Sequence, residues 1–104
     1  MSDWQNVIDT AELEVQDKAC VRVADKPLVA VRTGEDYHVV ENVCPHAGLP
    51  LGDGELAGRV LTCPYHGFMY DVVTGRNVDD PDDVPLKRYP CRVEGGVLQA
   101  DLQG

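Results

Sequence analysis

No stretch of this chain approaches the ~20 consecutive apolar residues a membrane-spanning helix needs, although hydrophobic residues make up 43% of its 104 residues. The opening MSDWQNVIDTAELEV has neither a basic nor an apolar segment, so it does not read as a secretion signal. Basic residues are scarce, nine against 18 acidic ones, and the net charge is −9. With no Lys/Arg cluster the electrostatic footprint for nucleic acid is missing, which excludes that partner. Internal repeats, low-complexity tracts and long helical periodicity are also missing. These absences leave a soluble, cytoplasmic, monomeric chain forming one domain over residues 1–104. Its acidity suits solubility, and can also steer it to a basic surface.

Only three histidines and four cysteines are present, yet two of each fall into short mixed pairs. Cys44-Pro-His46 and Cys63-Pro-Tyr-His66 each offer one thiolate and one imidazole. Soft thiolates suit zinc, copper(I) and iron–sulfur clusters, while imidazole suits zinc, copper and iron. Two chemistries fit. A structural zinc site also favours two Cys and two His, which would make the chain a zinc-stabilised interaction module. Zinc modules, however, usually pair cysteine with cysteine first, as C-x-x-C. A 2Fe–2S centre with histidines replacing two cysteines on one iron takes one thiolate and one imidazole from each piece. Pro45 and Pro64 fix φ just after each cysteine. Gly48 and Gly67 allow a tight bend that brings N–H groups near the sulfurs.

The strings CPHAGLPLG, ELAGRVLT (residues 55–62) and CPYHGFMYD resemble the Rieske family in order and spacing. The resemblance implies one 2Fe–2S cluster, with Cys44 and Cys63 on one iron and His46 and His66 on the other. It implies an all-β Rieske fold, a β-sandwich or barrel base carrying a small cluster-binding subdomain at about 44–71. Charge counting agrees with the redox use. Two ferric ions, two sulfides and four thiolates sum to minus two, whereas two neutral imidazoles bring the sum to zero and make reduction easier. Such centres lie at roughly −150 to +300 mV, against about −400 mV for all-cysteine plant-type ferredoxins.

High-potential members carry a further cysteine in each loop, joined as a disulfide; Leu49 and Tyr65 stand at those positions. They also carry a serine donor to a bridging sulfide where this chain has Phe68. Tyr70 does match their tyrosine, which bonds a ligand cysteine sulfur. The pattern therefore resembles Rieske-type ferredoxins and oxygenase domains, with a midpoint in the lower half of the range. It implies a one-electron carrier, not an enzyme, passing electrons from a flavin-containing NAD(P)H reductase to a terminal oxygenase. His46 and His66 would be the entry and exit point. The small subunit of an assimilatory nitrite reductase shares the fold and is the alternative. A complete oxygenase is excluded, because its 2-His-1-carboxylate site needs two further histidines and only His38 remains.

Elsewhere the signals are strands. Val21-Arg22-Val23 alternates, residues 28–31 are apolar, and 37–40 follow a turn at 33–36. Residues 59–62 lead into the second loop, and 70–72 precede the turn at 74–76. A final hairpin pairs 88–93 with 97–102 around Gly95-Gly96. Asp9 and Glu12 suit a cap on one helical turn before Leu13. Trp4 and Val7 are expected to pin the first segment to the core, and His38 to lie on a strand surface. Cys20 and Cys91 are expected as small buried apolar residues without a disulfide between them. Residues 77–85 read as a loop, which the resemblance places over one side of the cluster and which is otherwise a solvated loop.

Overall fold

Residues 28–31 stay buried on both sides because their alternate side chains serve two different cores. Val29 and Val31 pack in one with Val40; Leu28 and Ala30 pack in the other with Val39. A strand buried on both faces reads as a continuous apolar run, which is how this one appears in the sequence. The computed structural model describes residues 2–45, 48–65 and 67–103.

Along the chain, β1 (Trp4–Asp9) and α1 (Thr10–Val15) precede a meander of β2 (Lys18–Val23), β3 (Lys26–Thr33) and β4 (Asp36–Glu41). A smaller meander follows, β5 (Leu56–Ala57), β6 (Val60–Thr62) and β7 (Met69–Asp71). The chain ends with β8 (Arg88–Tyr89), β9 (Cys91–Glu94) and β10 (Val97–Asp101). All pairings are antiparallel and make three sheets, in the orders β1-β10-β9, β2-β3-β4-β8 and β5-β6-β7. The first two sheets enclose the core of Leu13, Leu28, Ala30, Val39, Tyr89, Leu98 and Ala100. They remain separate sheets, so the base is a sandwich and not a closed barrel. The third sheet carries Leu61 and Tyr70 into the other core, with Val29 and Val31. Among the described residues no helix is long and apolar enough to cross a membrane.

Several expectations need correction. The final hairpin is shorter than the sequence suggests: Arg88 and Tyr89 pair with β4, while Cys91 onward pairs with β10. Pro90 divides them, since it has no N–H for a ladder, and its carbonyl accepts from Asp101 N at 2.8 Å. The first segment is a full strand on β10, with the Arg92 guanidinium 4.1 Å from the Trp4 ring centre and Val7 packed on the second core. Asp9 sits at the helix N-cap but makes no side-chain capping bond; the buried Leu13, with Thr10 N and Oγ1 both donating to Gly96 O, holds α1 in place. Cys20 is exposed, because β2 is an edge strand and its alternate residues face water. Cys91 is half-buried, its Sγ 3.2 Å from the Tyr37 carbonyl, and burial pushes its thiol pKa up. Both are free thiols.

Candidate metal centre

The two ligand loops are built alike. In the first, Cys44 N donates to Leu49 O at 2.9 Å and Gly48 N donates to Cys44 O at 2.8 Å. In the second, Cys63 N donates to Phe68 O at 2.7 Å and Gly67 N donates to Cys63 O at 3.0 Å. The motif C-P-x-x-G-apolar occurs twice, the same pair of backbone bonds closes each copy, and in the sequence only the offset of its histidine differs. Gly48 has φ 67° and Gly67 φ 73°, in the left-handed region that favours glycine. The glycines provide the bend as expected, but their own N–H groups close the loops onto cysteine carbonyls instead of pointing at sulfur.

This folding brings Cys44 and Cys63 into one core, both almost wholly buried, with Leu51, Leu61, Tyr70, Val72 and Leu86 around them. His46 and His66 lie outside the described residues. Leu49 and Tyr65 are exposed on the same loops, and Phe68 packs half-buried against the core. The two thiols lie buried in one core with no disulfide between them, a placement that leaves both sulfurs available as soft metal ligands.

Tyr70 gives the independent observation. It is completely buried, and its hydroxyl has no hydrogen-bond partner of good geometry among the described residues. A buried hydroxyl without an acceptor is costly. Burial pushes the phenol pKa well above its usual value, and the charge of the nearby Cys44 sulfur adds to the rise. A phenol aimed at a cysteine sulfur supplies the donor that a metal-bound thiolate would accept. The residues present therefore fit an iron–sulfur group.

Two features beyond the ligand motifs support the loops. Asn42 Oδ1 accepts from both Leu51 N at 2.7 Å and Gly52 N at 2.6 Å. An Asn at a strand end is a known local backbone binder, which is the only signal the sequence offers for it. The acidic loop is the second feature. Asn77 bridges to Tyr70, Val78 N donates to Met69 O at 2.8 Å, and Leu86 enters the cysteine core. Residues 77–86 are therefore fastened at both ends beside Tyr70. Asp79, Asp80 and Asp82 are exposed; Asp83 is half-buried, and its charge adds to the upward pressure on the Tyr70 pKa. His38 lies on β4 as expected, half-buried, with Nε2 2.9 Å from Thr33 Oγ1.

Residues 3–90 match the family model of the Rieske [2Fe-2S] domain. The ferredoxin component of a naphthalene 1,2-dioxygenase system from Pseudomonas aeruginosa is 31% identical over 99 residues, covering 95% of each chain. A solved complex of reduced oxygenase and oxidized ferredoxin in carbazole 1,9a-dioxygenase contains a chain that superposes with a TM-score of 0.83. That chain is 30% identical, and the match covers 94% of the present chain and 92% of it. NdmA of Pseudomonas putida CBB5 superposes with a TM-score of 0.78 at 26% identity, over 95% of this chain and 34% of that one. The present chain thus spans about a third of that longer protein.

Proposed function

The chain belongs to the Rieske family, and from that premise we propose that it is a soluble, cytoplasmic one-electron carrier serving a multicomponent oxygenase. It accepts electrons from a flavin-containing NAD(P)H reductase and delivers them to a terminal oxygenase. One 2Fe–2S cluster supplies the one-electron chemistry when bound. Cys44, His46, Cys63 and His66 would hold it, the two cysteines on one iron and the two histidines on the other.

The observation that carries this reading is the pair of equivalent loops that bury Cys44 and Cys63 together beneath Tyr70. The cysteines and Tyr70 lie among apolar side chains that exclude water, which strengthens the electrostatic effect of every nearby donor on the cluster. Leu49 and Tyr65 are exposed on the same loops and offer a partner an apolar edge to dock on. The named relatives support the oxygenase partner, since one is a ferredoxin component and another was solved with its oxygenase. The chain is one domain, with residues 44–71 as its cluster-binding part; a radius of gyration of 12.7 Å against ~13 Å for a 100-residue domain supports that. A relative that is the ferredoxin component of a dioxygenase system supports a carrier without catalysis of its own.

The test is substitution of each ligand. Cys44→Ala, His46→Ala, Cys63→Ala and His66→Ala lose the cluster and with it electron delivery from reductase to oxygenase, while Cys20→Ala and Cys91→Ala keep both. Full cluster content in His66→Ala sinks the assignment.

A further inference from the structure

The first ligand loop is fastened to the sandwich at Gly52, by side chains that no ligand assignment involves. Gly52 N donates to Asn42 Oδ1 at 2.6 Å, and the preceding Leu51 N donates to the same oxygen at 2.7 Å. The Gly52 carbonyl accepts from Lys18 Nζ at 2.7 Å. Both polar groups of one buried residue are thus taken by side chains, one from β2 and one from just beyond β4. The third contact is steric. A Cβ on Gly52 would lie 2.4 Å from Cys20 Sγ and 2.9 Å from Val29 Cγ2, so the backbone rests directly on the β2–β3 surface and only glycine fits.

The placement of this fastening matters. Asn42 stands two residues before Cys44. Leu51 follows soon after Leu49, whose carbonyl accepts from Cys44 N, and it packs in the same core as both cysteines. One side-chain oxygen therefore ties the two ends of the loop together at its base. Tying a loop's ends removes conformations in which its ligands point elsewhere, and ligands held in place by outer contacts keep metal more tightly.

We infer that Asn42 and Lys18 are positioning residues for the cluster, clamping Gly52 so that the loop bearing Cys44 and His46 stays closed on it. This inference rests on the ligand reading of that loop. Asn42 acts through the backbone N–H groups of Leu51 and Gly52. Its loss would leave two N–H groups without their acceptor, one on each of two buried residues.

The experiment uses the full-length holoprotein and follows iron release to a chelator, together with the linewidth of the reduced cluster's EPR signal. Asn42→Ala is expected to release iron at least about tenfold faster, in line with the usual cost of losing an outer contact, and to broaden the signal. Asn42→Asp keeps an acceptor oxygen and should restore most of the wild-type behaviour. Lys18→Met keeps the aliphatic stem and should give a smaller acceleration; it also carries the test if Asn42→Ala does not fold. Wild-type release and linewidth in both Asn42→Ala and Lys18→Met would overturn the inference, as would Asn42→Asp behaving like Asn42→Ala. Cys44→Ala separates the two readings: if it retains the cluster, the ligand assignment fails, whatever the clamp variants do.

Discussion

Tyr70→Phe removes a single oxygen, the one that faces Cys44. Reduction makes the cluster more negative, so a donor to a ligand sulfur favours the reduced form and its removal lowers the midpoint. If the bond is worth about 1 kcal/mol more in the reduced state, the midpoint falls by roughly 40 mV for a one-electron couple. Protein-film voltammetry reads this directly, and an unchanged midpoint would mean that the hydroxyl does not reach the cluster. His38 gives a test on stability. Burial first, and then Arg88, holds its pKa below the usual 6.5. The unfolded chain therefore binds a proton that the folded ring refuses, so stability is complete above about pH 6.5 and falls as pH drops through the window beneath. Asp101 and Asp71 add a second loss at lower pH. Asp101 is held low by the Asp3 N–H; burial alone would raise Asp71, but the bonds from Arg59 and Val73 outweigh it. Stability from such lowered carboxylates is present above about pH 4 and disappears as pH falls through their folded values. Melting curves should show His38→Gln matching the wild type's pH dependence above about 6.5 and losing less on acidification; identical slopes on the acid side would refute the role of His38.

At the scale of elements, the hairpin between β2 and β3 turns through Ala24 and Asp25, with φ 50° and 64°. Both central residues of this turn are left-handed, a shape that Asn-Gly adopts with least cost. Ala24→Asn with Asp25→Gly is therefore expected to stabilise by about 1 kcal/mol, raising the melting temperature by ~4–8 °C; no rise in calorimetry would contradict that account. The same turn shows what the sequence withholds. Alanine in a left-handed turn gives no local signal, and the hairpin of β2 and β3 forms because residues 28–31 are buried on both faces. β1 was equally hard to read, since its pairing with β10 spans nearly the whole chain and WQNVID does not alternate cleanly. By contrast, the turns that follow Cys44 and Cys63 are legible in the sequence, because the Pro and Gly of each are required locally. Phe68 and Tyr70 are legible only through the family resemblance, which assigns their positions a role. Asn42 and Lys18 could not, because their partners are backbone groups brought near only by folding. Cys20 is exposed where the sequence suggests burial, because strand pattern alone does not say which strand lies at an edge.

For the whole molecule, a net charge of −9 and an acidic loop fastened beside Tyr70 suit encounter complexes that form fast and separate fast. Added salt should slow the second-order electron-transfer rate with a partner, since the Debye length shrinks from ~10 Å at 0.1 M to ~3 Å at 1 M. Changing the exposed Asp79, Asp80 and Asp82 to Asn should reproduce part of that slowing with the cluster spectrum intact. Stopped-flow rates indifferent to both would leave docking to the apolar rim of Leu49 and Tyr65. All of this depends on what the two loops hold, and one analysis decides it: metal, acid-labile sulfide and electron content of the purified protein. The account predicts a red-brown protein with two irons and two sulfides per chain that takes up one electron in a coulometric titration. A colourless protein with one zinc, no sulfide and no electron uptake would contradict it.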